Sequence, residues 1–181
     1  MSELPVAILS REGAVISGKN AESLNSRGYG KKSNGKLVLA PYEALFLVEK
    51  GVIEVSKKSG KKLTFQDLLQ YFRRYDKNVW VKYLIYRDLR NRGYVVREGF
   101  GLGVDFRLYD RGDYGKEPAK SIVFGILEGK PISIKELSEV LRKVQNLKKK
   151  LILAVVDRRG EVVYYSLSKL SLGEVIEGAE I

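Results

Sequence analysis

The chain has 181 residues, 44% of them hydrophobic, enough apolar material for one good core or two small ones. Lys and Arg number 33 against 22 Asp and Glu, a formal charge of +11, and that balance favours a polyanionic partner, nucleic acid first, over a merely lysine-rich surface. With neither cysteine nor histidine, disulfides and thiolate metal sites are excluded, and a transition-metal site would need carboxylates alone, so no cofactor is expected.

The start, MSELPVAILSREG, lacks the basic n-region and long h-region of a signal peptide, and no apolar run is long enough to cross a bilayer. A cytoplasmic protein with no membrane partner is expected. Few Asn and Gln, one Met and 30% charged residues point to a thermophilic source. PVAIL (5–9) and AVI (14–16) form a hairpin around Arg11-Glu12-Gly13. NGKLVLAP (34–41) is a strand, and Pro41 opens a helix that closes at Gly51. VIEVS is a strand ending at Lys57-Lys58-Ser59-Gly60. Thr64 then caps a helix with Asp67 three residues on, and Phe65, Leu68, Leu69 and Phe72 share one helical face.

A second helix spans Asn78 to Arg92 and closes at Gly93. The domain boundary is placed before it, dividing the chain into 1–76 and 77–181. The second half reads strand (94–98), strand (105–109), loop, strand (121–127), helix, strand, strand, a compact α/β domain of about 100 residues. Ser133 and Glu136 make a capping box, followed by an apolar stripe of Ile134, Leu137, Val140, Leu141, Val144 and Leu147. LILAVV (151–156), apolar throughout, suits a strand covered on both faces, and Asp157 to Gly160 turns the chain into EVVYYSLSKLSL. The fold class is therefore mixed α/β, a small N-terminal α/β domain followed by a central mixed sheet flanked by helices.

Between the strands at 105–109 and 121–127 lies a loop of charges, two glycines and Lys116-Glu117-Pro118 that looks like an active-site loop. Tyr109 ends the strand before it. Lys149 closes the turn from helix to strand. Arg142 lies seven residues, two helical turns, before Lys149 and shares its side if the helix runs that far. A phenol, an ammonium and a guanidinium at one end of a sheet suit a phosphodiester. Each also has an ordinary reading: an amphipathic tyrosine at a strand end, lysines complementing a helix dipole, and an arginine that is simply a surface charge.

The runs KYLIYRDLRNRGYVV (82–96), GFGLGVDFRLYDRG (99–112), KKKLILAVVD (148–157) and VVYY (162–165) closely resemble the archaeal tRNA-splicing endonucleases. YEALFL (42–47) and LTFQDL (63–68) are similar to that family's N-terminal domain, so the resemblance spans essentially the whole chain. It implies a C-terminal nuclease-like domain and a metal-independent RNase that cuts precursor tRNA at bulge-helix-bulge motifs, leaving a 2′,3′-cyclic phosphate and a 5′-hydroxyl. The family's catalytic tyrosine and lysine fall on Tyr109 and Lys149. Its histidine falls on Pro118, and its base-gripping arginine on Arg142.

In-line attack by a 2′-hydroxyl needs a base and an acid. Losing one of them typically costs ~10²–10⁴ in rate. Proline has no titratable group, and its fixed φ reshapes the loop. Lys116, Glu117 and Lys120 are the possible substitutes, with ordinary pKa values well away from neutrality. The resemblance therefore implies a structural subunit, two copies assembled with two of a catalytic homologue on precursor tRNA. Its interface is expected to use the last strand through Val163, Tyr165 and Leu167, and the turn carrying Asp157 and Glu161, which in the family inserts as an acidic loop into a neighbour's basic cleft. Arg158 and Arg159 depart from that acidic pattern. The alternatives are an active endonuclease using Tyr109 and Lys149 without histidine, and a basic RNA-binding module without a partner.

Overall fold

Residues 4–168 are described in a computed structural model of the chain. In chain order the first half contains β1 (Val6–Ser10), β2 (Gly13–Ile16), α1 (Lys19–Ser26), β3 (Lys31–Ser33), β4 (Lys36–Leu39), α2 (Pro41–Glu49), β5 (Glu54–Ser56), β6 (Lys62–Leu63) and α3 (Phe65–Arg73). The second contains α4 (Val79–Asn91), β7 (Val95–Glu98), β8 (Asp105–Tyr109), β9 (Ser121–Leu127), α5 (Ile134–Asn146), β10 (Lys150–Val156) and β11 (Val162–Leu167). The mixed α/β class holds. The strands form two mixed sheets, one of order β3-β4-β2-β1-β5-β6 and one of order β11-β10-β9-β8-β7. β1 and β5 are parallel in the first, and β9 and β10 in the second.

Local chemistry explains the element ends. Thr64 Oγ1 accepts from the Asp67 N–H (3.2 Å) while Asp67 accepts from the Thr64 N–H (2.9 Å), the reciprocal cap that starts α3. Pro41 opens α2, and Gly51, at φ +63°, turns the chain out of it. Asn34 and Gly35, expected to begin the strand at 34–41, instead form the turn of the β3–β4 hairpin. Both have positive φ (48° and 72°), the geometry that an Asn-Gly pair adopts most readily. β3, β6 and α1 were absent from the expected elements.

α4 is buried almost all round because it lies between the helices of the first half and the second sheet. It packs against α2 and α3 on one side and against β9 and β10 on the other. Phe106 of β8 meets Tyr42 of α2 edge-on at 5.2 Å, and Tyr86 of α4 lies 5.0 Å from Tyr42, so the apolar core runs continuously through both halves. The division expected at residues 76 and 77 falls in the short segment between α3 and α4.

The other face of the second sheet is covered only in part. α5 seats Val140 and Val144 against Ile122 and Leu151, but Ile134 is 85% exposed and Leu147 42%. The expected stripe is thus buried at its centre alone. β10 is accordingly sealed by α4 on one face, whereas Leu153 and Val155 on the other are half-buried, not enclosed as its composition predicted. At the start of α5, Ser133 Oγ accepts from the Glu136 N–H (3.1 Å), one half of the expected box. The Lys169–Leu172 end of the expected last strand lies outside the described residues. Among those residues no helix is long and apolar enough to cross a membrane, and no group of acidic side chains is arranged to hold a metal ion.

Candidate functional site

Strand register brings the sequence-predicted residues to one end of the second sheet. Leu108 of β8 and Lys150 of β10 both pair with Ser121 of β9. One step further out, Tyr109, Lys120 and Lys149 therefore form a row across three strands. Their side chains fall on the face that carries α5, because Arg107, Ile122 and Leu151 lie on that face two positions in. Two strand spacings, about 10 Å, separate the backbones of Tyr109 and Lys149.

Each member is held by a specific contact. α5 ends at Asn146, and Lys148 takes a left-handed φ of +54°, which turns Lys149 back toward the β8–β9 loop. There Lys149 Nζ donates to the Ala119 carbonyl, the residue immediately after Pro118. Pro118 thus adjoins the lysine's anchor. Tyr109 meets Tyr114 of the same loop edge-on at 5.2 Å. Tyr114 in turn lies under the Arg97 guanidinium, 5.8 Å from its carbon, and against Gly28 of the first half. A Cβ on Gly28 would approach the Val95 side chain to 2.5 Å and the Tyr114 ring to 3.3 Å, and Gly28 has φ +81°. The backbone needs glycine there for both reasons.

The loop is tied by charge. Lys120 Nζ sits 3.1 Å from Asp113 and 3.2 Å from Glu117. Hydrogen bonds to those two carboxylates raise the Lys120 pKa above the ordinary lysine range. Arg142 stands apart. The helix stops three residues short of Lys149, so the two-turn alignment does not form. Arg142 lies on the exposed side of α5, away from Val140 and Val144.

Across the sheet, β11 is an outer strand with one anchored and one open face. Tyr164 is half-buried and donates its hydroxyl to Asp88 of α4 at 2.7 Å. Val163 and Tyr165 alternate with it, 50% and 55% exposed, and align with Val155 and Leu153 of β10. Leu167, half-buried, continues that row beside Leu151. In the β10–β11 turn Asp157 Oδ1 accepts from the Arg159 (2.8 Å) and Glu161 (2.9 Å) N–H groups, so its carboxylate shapes the turn. Arg158 and Arg159 offset Asp157 and Glu161, and the turn carries no net charge. Glu161 is exposed at an open cavity of about 510 Å³ that also includes Lys50, Arg87 and Arg92.

Sequence reasoning missed two features: the Lys149 bond to the Ala119 carbonyl and the Tyr114–Arg97 support beneath Tyr109. Tyr114 was readable as an aromatic in the loop, but its partner lies in another strand.

The chain resembles known proteins along most of its length. Residues 79–164 match the tRNA intron endonuclease, catalytic C-terminal domain, and residues 7–69 match the tRNA intron endonuclease, N-terminal domain. The chain is 40% identical over 167 residues to the tRNA-splicing endonuclease of Methanococcus vannielii, covering 92% of this chain and 94% of that one. It is 36% identical over 143 residues to the tRNA-splicing endonuclease of Thermococcus onnurineus, covering 79% and 82%. With the Pyrococcus furiosus tRNA-splicing endonuclease it shares 35% identity over 142 residues, 78% and 81% of the two chains. Two matched domains and relatives aligned nearly end to end make this chain a member of the tRNA intron endonuclease family.

Proposed function

We propose that this chain is the non-catalytic, structural subunit of a tRNA-splicing endonuclease. Two copies assemble with two of a histidine-bearing homologue, and the complex excises introns from precursor tRNA at bulge-helix-bulge motifs, leaving a 2′,3′-cyclic phosphate and a 5′-hydroxyl. The observation that carries this reading is Pro118, which stands next to the carbonyl holding Lys149 and has no titratable group.

The chemistry defines what is missing. A base must take the 2′-hydroxyl proton as that oxygen attacks phosphorus, and an acid must protonate the departing 5′-oxygen. Lys149 offers positive charge to the phosphorane and Tyr109 a phenol, but the histidine that would exchange the proton is absent from the chain. Lys120 does not fill the gap, because Asp113 and Glu117 hold its proton more tightly than usual. Glu117 is drawn into the same cluster, 3.2 Å from Lys120.

Assembly is supported by β11. Among the described residues it presents an unpaired edge and an apolar row of Val163, Tyr165 and Leu167 beside half-buried Leu153 and Val155. The charge-neutral turn favours this strand over Asp157 and Glu161 as the main contact. Arg142, exposed on α5, remains available to stack on a base.

The test incubates the purified chain with a bulge-helix-bulge RNA, alone and with a histidine-bearing homologue. Cleavage only in the mixture is expected. Cleavage by the chain alone, lost in Lys149→Ala, overturns the proposal and establishes the second reading, an active enzyme working through Tyr109 and Lys149. The shared row of those two residues is what favours that reading.

A further inference from the structure

The first sheet carries a basic groove unrelated to the Tyr109–Lys149 row. Lys57 and Lys61 of the β5–β6 turn and Arg74 at the end of α3 line a shallow groove of about 170 Å³, together with Leu9, Leu63 and Tyr71. Arg11, from the β1–β2 turn, extends it: its guanidinium sits 5.1 Å over the Tyr75 ring, which lies 5.3 Å from Tyr71.

The backbone forces these charges together. The Lys57 N–H donates to the Lys61 carbonyl at 2.9 Å, and Gly60, at φ +84°, closes the turn KKSGKK. Four lysines therefore share one exposed turn, and Arg74 faces them across the groove. Among the described residues only Lys62 of that turn has an ion-pair partner, Glu54 at 2.6 Å. Among the same residues, no carboxylate pairs with Arg11, Lys57, Lys58, Lys61 or Arg74. Asp67 is the one acid lining the groove, and Thr64 engages its carboxylate at 2.9 Å through both N–H and hydroxyl.

Unpaired cations held within a Debye length of about 8 Å repel one another, and a row of phosphates relieves that repulsion while releasing its own counterions. The groove presents ammonium and guanidinium groups, while the exposed Tyr75 ring already carries Arg11. These are groups for a charged backbone, not for a stacked base.

We propose that this groove grips the sugar–phosphate backbone of a duplex arm of the RNA, outside the bulges where cleavage occurs. The inference rests on the functional reading above and adds a second RNA-binding surface to it, on the N-terminal half.

The test measures binding of bulge-helix-bulge RNA by the full chain assembled with its histidine-bearing homologue, across a salt series and with flanking arms of two lengths. A Lys57→Gln/Lys61→Gln/Arg74→Gln variant is expected to bind the long-armed RNA about tenfold more weakly near physiological salt. The slope of log affinity against log salt should fall by about 0.9 for each phosphate that the variant no longer neutralises. Shortening the arms should weaken wild-type binding by a similar factor and leave the variant unchanged. Equal affinity, slope and arm dependence for the two proteins overturns the proposal. So does a wild-type complex indifferent to arm length, a result that needs no variant. A variant that keeps its RNA affinity but no longer assembles makes the groove a protein-docking surface and also overturns it. The functional reading fails separately: a mixture that binds bulge-helix-bulge RNA no better than a plain hairpin sinks both.

Discussion

Arg97 on β7 faces Glu43 on α2 across the seam between the two sheets. Its guanidinium lies 3.7 Å from the carboxylate and donates to the Gly28 (2.8 Å) and Gly30 (2.6 Å) carbonyls. Glu43 is buried and also accepts from the Gly30 and Ala40 N–H groups. The second half thus holds the loop after α1 through one forked side chain. Arg97→Met leaves a buried carboxylate without its cation and should destabilise the fold by about 3 kcal/mol in urea denaturation near pH 7. Arg97→Lys keeps the charge but cannot span both carbonyls, and should recover only part of the loss.

The same carboxylate sets a pH dependence. Burial raises the Glu43 pKa, outweighing its backbone hydrogen bonds and the attraction of Arg97. A raised folded-state value means that the native chain binds this proton more tightly than the unfolded chain does. Stability from this group is therefore full below the ordinary glutamate pKa and is lost as pH rises through the folded value. Relative to Glu43→Gln, the wild type should become less stable as pH climbs from about 4.5. A flat difference between the two proteins across that range would contradict it.

Pro118→His tests the chemistry of the loop directly. The substitution places a titratable ring one residue from the Ala119 carbonyl that anchors Lys149. Cleavage of bulge-helix-bulge RNA by the single chain should rise by about 10²–10⁴ over its own background. The rate should follow a pH profile with an inflection near neutrality and vanish in the Pro118→His/Lys149→Ala double variant.

Tyr164→Phe removes the hydroxyl bond from β11 to Asp88, leaving that carboxylate with Arg92 at 2.7 Å. The expected cost is about 1.5 kcal/mol, since the acceptor is charged. Hydrogen exchange should accelerate in β11 while β8 and β9 stay protected.

Val163→Lys and Tyr165→Lys put a charge on the open face of β11 without touching the anchored one. Each should leave the melting temperature of the isolated chain within a few degrees and abolish association with a histidine-bearing homologue, as read by sedimentation. Unchanged sedimentation of both mixtures would move the interface elsewhere.

The sequence exposed some of this and hid the rest, for physical reasons. β8 and β9 were legible because an alternating strand, DFRLY, and an apolar run, SIVFGIL, meet clear turn signals. α1 was not: its N-cap position is Gly18, which makes no side-chain cap, and Ala21 and Leu24 are its only buried residues. β3 is Lys31-Lys32-Ser33, exposed throughout, with no alternation to betray it. The α5 stripe was correctly placed on one face, but how much of that face a neighbour covers is a tertiary fact. Tyr109 and Lys149 became conspicuous through the family resemblance. The supports beneath them join positions far apart in sequence: Arg97 meets carbonyls 69 and 67 residues away, and Lys149 one 30 residues away. One sequence carries no signal for such pairs.

The anchoring of β11 has a kinetic consequence. Its backbone is ordered by six register pairs with β10, and its inward tyrosine is fastened to α4 before any second chain arrives. Little chain entropy is left to lose, so a partner docking on this strand would meet a finished template and not a segment that must fold as it binds. Association should then proceed at the rate of ordinary rigid surfaces, about 10⁵–10⁷ M⁻¹s⁻¹, with the lifetime of the complex decided by how well the apolar row is matched.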